Sequence, residues 1–472
     1  MSKDLRQFLQ MVKEMGPDYY VEVNQPLKPK YEPCIIQEKL AKEGRYPVIY
    51  CPEIEGSKIP LVTNLFSCYD MLGLALDIDT KKIGRDEVLK EFRRRVADRK
   101  PPQMIPASEA PVKEVRYTGD DVDLGIFPII HHQEGDSGKY LDVGCLICKD
   151  PDTGVLNAGL YRHELKGKNQ LGFMTSPTHN AAYITRRYAE LKKPFEVVIA
   201  VGNHPAVILG ACTFVPLGTK KLEVIGGLLQ EPLAMTQAET VSLPVPAFAE
   251  VVIEGIVDPC NMVTDGPFAE YTGYYGAGNK ACYLIQIKAI TMRRDAIYHD
   301  LDPASLEHNM PTSLGMESND YDVIHRAVPT VKSVYLPRIG RGFLSFVSIK
   351  KRVEGEGKFA GLAAVSARPS AKIAVVVDED IDIYNTDEVL WAMATRVQGD
   401  TDVSMIPYAS GAHLDPSVYG ETRFNKGSMT TKMIIDATRP VHLPFAPRIT
   451  PPKDLWESMN LEDYIDILKK GK

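Results

Sequence analysis

Two carboxylates five residues apart, Asp265 and Glu270, are the groups in this chain best placed to do chemistry. They lie in the run Thr264-Asp265-Gly266-Pro267-Phe268-Ala269-Glu270-Tyr271-Thr272-Gly273-Tyr274-Tyr275. Proline fixes its own φ and biases the residue before it away from the α region, so the Gly-Pro step predicts a turn with both acids on an irregular loop. Paired carboxyl groups do acid/base work when their surroundings push their pKa values apart. An isolated acid on a loop is more often a solvated charge, so the reading depends on three other segments. Val155-Leu156-Asn157-Ala158-Gly159-Leu160-Tyr161-Arg162-His163 offers an amide and an arginine. Ser176-Pro177-Thr178-His179 opens a helix over AAYITRRYAEL, and the free N–H groups of a helix start suit an anion such as phosphate. Leu243-Pro244-Val245-Pro246-Ala247-Phe248-Ala249-Glu250 leads into the strand VVIEG. Taken singly, Asn157 reads as a turn residue, His179 as a helix-start residue and Glu250 as a strand-edge charge.

The elements that must position these residues fall into three regions. Residues 1–110 mix helices and short strands. Leu5, Phe8, Leu9 and Val12 form an amphipathic first helix, and the charged helix GRDEVLKEFRRRVADRK ends the region before Pro101-Pro102. Residues 111–319 are strand-rich. VGCLICKD, FEVVIAVG, AVILGACTF, AEVVIEGIV and CYLIQIKAITM read as β-branched strands, which predicts a barrel or sandwich with helical insertions. In residues 320–472 the strands SVYLP, LSFVSIKK and KIAVVVDED alternate with the helices KFAGLAAVSAR and NTDEVLWAMATRV, which predicts an α/β layer. PPKDLWESMNLEDYIDILKK reads as one terminal helix. The fold class is thus α/β (α+β).

Composition narrows the function classes. A formal charge of −7 argues against nucleic acid and anionic membranes as partners, because both need a basic patch. No apolar run approaches the ~20 residues of a membrane-spanning helix, and MSKDLRQFLQMVKEMG has no signal-peptide core. Eight dispersed cysteines fit reduced thiols in a cytoplasmic protein. Cys145-Leu146-Ile147-Cys148 lies within a strand, where the two thiols face opposite sides, so packing is expected in place of metal or redox chemistry.

Two glycine-rich turns imitate a dinucleotide fingerprint. Gly276-Ala277-Gly278-Asn279-Lys280-Ala281 precedes its strand, the wrong order for a phosphate-binding turn. Gly355-Glu356-Gly357-Lys358-Phe359-Ala360 lies between a strand and a helix, with Asp378 ending the next strand. It supports a rival reading, an NAD(P)-dependent oxidoreductase. A second rival is a non-catalytic subunit of a carboxylase complex.

Read together, DLRQFL, DVDLGIFPII, GDSGKYLDVG, KDPDTGVLNAGLYR, LPVPAFAEVVIEG, DGPFAEYTGYYG and KIAVVVDEDIDIYNTDEVLWAMATR resemble the UbiD family of decarboxylases, which use prenylated FMN. The resemblance implies an N-terminal α/β region, a central split β-barrel that binds the flavin, and a C-terminal α/β domain with a terminal helix. It implies a divalent metal, usually manganese, at Asn157, His179 and Glu250, bridging to the flavin phosphate, with a potassium ion nearby. Lys372 matches a lysine that contacts this phosphate, and Arg162 and His179 count among the cofactor-binding residues. Arg162, Asp265 and Glu270 match a catalytic acid–arginine–acid network in which Glu270 donates the proton after CO2 leaves. The family commonly has Glu where Asp265 stands, so the shorter acid is expected to shift the network or admit a water.

The same resemblance places His308 and Thr312, within YHDLDPASLEHNMPTSLGME, beside the substrate. That segment reads as a loop, and Met316, Tyr271, Tyr274 and Tyr275 are expected to supply apolar walls. A histidine there suits a phenol, a ring N–H or a carboxylate, so a hydroxybenzoate or a heteroaromatic acid of the pyrrole, furan or indole type is the expected substrate. No neighbouring arginine stands out for a second carboxylate. The implied reaction is reversible non-oxidative decarboxylation. Its implied partners are CO2, a flavin prenyltransferase as cofactor supplier, and further copies of the chain as a dimer or hexamer.

Overall fold

A computed structural model of the chain describes residues 3–176, 179–276, 278–418 and 429–465. Pro177 and Thr178 of the helix-opening segment, Ala277 of the first glycine turn and the end of the expected terminal helix lie outside the described residues. The centre is a six-stranded barrel made of β1 (Tyr140–Lys149), β2 (Leu156–Gly167), β3 (Gln170–Phe173), β4 (Phe195–Val201), β5 (Val251–Asp265) and β6 (Asn279–Met292). The order is β5-β4-β1-β2-β3-β6, every neighbouring pair is antiparallel, and pairing of β5 with β6 closes the ring. Leu146, Cys148, Val197, Ile199, Ile253 and Ile285 fill one side of this wall. The alternate residues Cys145, Ile147, Val198, Ala200 and Val252 pack with helices on the other. Burial on both faces is why these strands read as nearly continuous apolar runs. The two thiols of the CxxC end in different cores, as strand alternation requires.

Among the helices are α1 (Leu5–Glu14), α2 (Arg85–Ala97), α3 (Asn180–Leu191), α4 (Pro205–Cys212), α5 (Lys221–Leu229), α6 (Met310–Ala327), α7 (Glu356–Ser366) and α8 (Thr386–Arg396). In α1, Asp4 accepts the Gln7 N–H as N-cap, and Leu5, Phe8, Leu9 and Val12 are buried. The segment AVILGACTF, expected as a strand, is the helix α4. Its start is well formed, with Pro205 in the first turn and His204 accepting the Ala206 N–H. Every residue from Pro205 to Ala211 is buried, so no polar face marked the helical period.

Strands Tyr20–Glu22, Val48–Cys51 and Leu61–Thr63 form a small sheet that Tyr298–His299 completes, tying the N-terminal region to the central one. The C-terminal layer has strands β7 (Val331–Tyr335), β8 (Leu344–Ile349), β9 (Ile373–Asp378), β10 (Val403–Ser410) and β11 (Met429–Ala437), in the order β7-β8-β9-β11-β10. The expected loop over residues 298–317 becomes α6 from Met310 onward, with Pro311 tolerated in the first turn. α6 runs through positions 319 and 320, so the boundary expected there falls inside a helix that packs on both α4 and α7. Within the described residues the tail from Val441 onward is exposed, and where one helix was expected it carries two short ones, Lys453–Ser458 and Leu461–Tyr464.

Candidate active site

The end of β5, the hairpin that follows it and the middle of β2 bring Arg162, Asp265 and Glu270 together. One guanidinium nitrogen of Arg162 donates to Asp265 Oδ2 and the other to Glu270 Oε1. Asp265 closes β5 and is not in the loop proper, whereas Glu270 follows the short strand Phe268–Ala269. Arg162 also lies over the Phe268 ring, 4.4 Å from its centroid, so the loop between the acids holds the cation from a third side. The methylene that Asp265 lacks relative to glutamate does not open the network, since its contact with Arg162 is direct.

The hairpin is fixed by its surroundings. Gly266 has φ +76°, which favours glycine, and its N–H donates to the Tyr140 hydroxyl at 3.0 Å. The Gly266–Pro267 peptide bond is cis. Asp136 accepts the Ala269 N–H at 2.7 Å, and the Tyr275 hydroxyl accepts the Gly135 N–H at 2.9 Å. A Cβ at Gly276 would stand 2.9 Å from Glu270 Oε1, so this glycine makes room for the acid.

Asp265 is 1% exposed and Glu270 8%. Burial raises the pKa of both, and the attraction of Arg162 only partly opposes it. Arg162 itself is held firmly protonated between them, its own burial offset by the charges of Glu270 and Asp265. One buried cation thus faces two acids that resist ionising, an arrangement suited to keeping and releasing a proton.

His179 is the N-cap residue of α3, and its side chain makes no capping bond. Its surface is open, yet it stands in a recess with His413 and Lys221. Desolvation first, then these two neighbours, lower its pKa and keep the ring neutral at pH 7. His413 comes from the turn after β10, and its own pKa is lowered by burial and then by Arg162. The site therefore lies between the barrel and the C-terminal layer. Lys221, at the start of α5, is a buried lysine whose ammonium donates to the Thr213 carbonyl. Burial pushes its pKa down to about 8.

The expected metal ligands are not assembled. Both Glu250 oxygens are taken by Arg6, through Nε and Nη2 at 2.9 Å each, and Ile297 N–H donates to the same carboxylate at 3.0 Å. Glu250 sits opposite Val201 and Gly202 at one end of β4, whereas Asn157 pairs with Cys148, and Cys148 with Val197 near the other end. Five residues of strand separate these rows by about 16 Å, well beyond the roughly 2–2.6 Å reach of ligands to one ion. The Asn157 amide faces the barrel interior with Cys148 and Tyr161, and Tyr161 meets the His179 ring edge-on at 5.7 Å. Among the described residues no three His, Cys, Asp or Glu side chains are grouped to hold a metal. Glu250 is therefore corrected from metal ligand to the anchor of α1 on the barrel. A solvated charge and a paired one share the same sequence pattern, and its partner lies 244 residues away.

Lys372 is also committed elsewhere, with its ammonium 2.8 Å from Asp415 and 2.8 Å from the Ser417 hydroxyl. It holds the segment that carries His413 and shows no contact with Arg162 or His179. His308 stacks on Tyr271 at 5.9 Å, and Tyr271 stacks on Phe343 of the C-terminal layer at 6.3 Å. Its pKa is lowered by desolvation, then by Arg341 and Arg162, which makes it a neutral ring beside the Glu270 hairpin. Thr312 spends its hydroxyl on the Asn309 carbonyl at 3.1 Å in the first turn of α6. Of the residues expected as walls, Tyr274 and Tyr275 are exposed, Met316 is half-buried in α6, and Tyr271 is packed between His308 and Phe343. The arginine that the sequence did not reveal is Arg341, which donates to the carbonyls of Tyr271, Ala304 and Ser305. No motif links it to the hairpin, because they meet only through the fold.

The Gly355 turn does open a helix between two parallel strands, β8 and β9. A Cβ at Gly357 would stand 2.3 Å from Asp436 Oδ1, so a carboxylate lies against the turn where a pyrophosphate would need neutral backbone. Asp378, placed for a ribose, is bound instead by Arg396 at 2.9 Å and the Arg439 N–H at 2.8 Å.

A closed barrel bears a buried arginine forked between two acids, an arrangement suited to handling a proton, and His179, Lys221 and His413 stand to one side of it. Family comparison gives the class a name. Residues 17–89, 103–305 and 310–437 match the N-terminal, Rift-related central and C-terminal domains of 3-octaprenyl-4-hydroxybenzoate carboxy-lyase. The chain belongs to the UbiD family. It is 33% identical over 435 residues to the anhydromevalonate phosphate decarboxylase of Methanosarcina mazei, covering 92% of this chain and 96% of that one. It is 31% identical over 455 residues to the phenolic acid decarboxylase of Sedimentibacter hydroxybenzoicus, covering 93% and 92%. The UbiD-class enzyme HmfF of Pelotomaculum thermopropionicum, solved with FMN, superposes with a TM-score of 0.90 at 32% identity, covering 98% of this chain and 100% of that one. An evolved dimeric form of HmfF, solved with prenylated FMN, superposes with a TM-score of 0.86 at 31% identity, covering 98% and 100%.

Proposed function

We propose that the protein is a carboxy-lyase that decarboxylates an aromatic or heteroaromatic acid, reversibly and without net oxidation, using prenylated FMN. The observation that carries this reading is the fork of Arg162 between buried Asp265 and Glu270. Prenylated FMN supplies an electron sink for the substrate carbon, which no side chain provides. Arg162 orients both acids through its planar fork and presents positive charge to the substrate carboxylate. When the bond to the carboxylate breaks, CO2 leaves without the bonding pair, and that pair ends in the new C–H bond. Glu270, whose pKa burial raises, delivers its proton to that carbon. Electrons balance without an external oxidant or reductant. His308 and Tyr271 form the substrate wall, which suits a flat ring carrying a hydrogen-bonding group, and Thr312 borders it. The recess of His179, Lys221 and His413 suits the flavin phosphate. No step is assigned to manganese or potassium, because the residues expected to hold the metal do not converge.

A flavin prenyltransferase is the cofactor supplier in this reading, and its eight free cysteines suit a reducing compartment such as the cytoplasm. Exposed Ile449, Leu455, Trp456, Leu461 and Tyr464 along the tail favour a homo-oligomer, a dimer or hexamer, in which a second copy covers them. The test is to produce the chain with a flavin prenyltransferase and follow CO2 release from a panel of hydroxybenzoic, pyrrole-, furan- and indole-carboxylic acids. Release from at least one acid, dependent on bound prenylated FMN, is expected. A flavin-loaded protein that also catalyses no hydrogen–deuterium exchange at any ring carbon would sink the reading.

A further inference from the structure

In the recess assigned above to the flavin phosphate, Lys221 is a buried cation. Its side chain is buried, at 6% exposure, and its ammonium meets the carbonyl of Thr213. An ammonium has three donors, and among the described residues Lys221 forms no ion pair with a carboxylate. A buried charge without a counter-charge is costly unless something of opposite sign arrives. The thiols of Cys212 and Cys145 flank Lys221, and its charge also acts on His179, at the N-terminus of the twelve-residue helix α3, as His413 does. A helix N-terminus and an ammonium without a carboxylate partner both favour an anion. The carboxylate and amide expected to complete a metal centre are elsewhere: Glu250 is filled by Arg6, and Asn157 is turned toward Tyr161 and Cys148. A divalent ion placed beside His179 would meet an ammonium in place of an acid.

We propose that Lys221 supplies, from within the chain, the positive charge that the family resemblance assigns to a divalent metal and potassium, so that the flavin phosphate binds directly and without a metal. The inference rests on the flavin reading above. It makes Lys221 a cofactor-binding residue and the protein's flavin affinity independent of manganese.

The experiment titrates the full chain with FMN, and with riboflavin as the probe lacking phosphate, by flavin fluorescence. One buffer holds EDTA and choline chloride, the other manganese and potassium. Wild type is expected to bind FMN within about twofold in the two buffers, and at least about tenfold more tightly than riboflavin, the scale of a hydrogen bond to a charged group. Lys221→Met is expected to lose that preference for FMN, with riboflavin unaffected, and Lys221→Arg to retain it. FMN binding that disappears in EDTA and returns with manganese would overturn the inference and leave the flavin reading intact. Wild type that takes no flavin in either buffer would overturn both. A Lys221→Met protein with wild-type FMN preference would also overturn the inference. Should that variant fail to fold, the wild-type buffer comparison and Lys221→Arg decide.

Discussion

The two ends of the site are built on opposite electrostatic plans. At the catalytic end, a single cation, Arg162, is shared by two buried acids. At the recess end, Lys221 and His413 both act on His179, and among the described residues Lys221 makes no ion pair with an acid. The first arrangement supplies its own counter-charges and is complete without a ligand. The second is incomplete, and a buried ammonium makes that incompleteness costly until an anion docks. The same contrast separates a group that must handle a proton from one that must hold a phosphate.

The largest expected effect breaks the catalytic end alone. Arg162→Lys replaces a planar fork by a point charge that cannot span both acids, and kcat should fall by about 100- to 1,000-fold, comparable to removal of one preorganised donor. Steady-state kinetics on flavin-loaded enzyme read this, and near-normal kcat would show that the fork is not needed. Next comes a test of Glu250 as a structural anchor. Arg6→Ala leaves its carboxylate buried without its main partner, and stability should drop by about 3 kcal/mol in urea unfolding. An unchanged unfolding midpoint together with altered metal content would restore the metal role. A smaller effect is expected from pH. Because Glu270 is raised, its protonated form persists above the ordinary carboxyl range, about 4.3, and kcat should fall as pH rises through the raised value. Stability carries the same sign: the contribution of the neutral carboxyl is full below the unfolded-state value and is lost as pH rises through the folded one. A rate that instead climbs over that interval would show that Glu270 acts as a base. The smallest effect concerns the rival turn, where calorimetry should detect no saturable NAD(H) or NADP(H) binding beside Asp436.

How much of this was legible in the sequence depended on the distance over which each residue finds its partner. Asp265 and Glu270 were readable because a Gly-Pro turn sets them locally, and the family motif brings in Arg162. The strands of the barrel were readable from β-branched runs between turns. α4 was not, because a helix buried on all sides shows no period. Glu250 was misassigned because the same acid before a strand serves either a metal or an arginine, and Arg6 is far away in sequence. Lys221 escaped notice for the reverse reason. Lys220-Lys221 resembles a solvated pair, and only the packing of α5 shows that the second lysine is buried.

The central claim is that Glu270, held by Arg162, is the proton donor of a decarboxylase. Its most direct test is single-turnover CO2 release and product formation by flavin-loaded Glu270→Gln beside wild type. The account predicts retained flavin and a loss of product formation of about 100- to 10,000-fold, the range for a general acid. Product formed at the wild-type rate with flavin bound would contradict it.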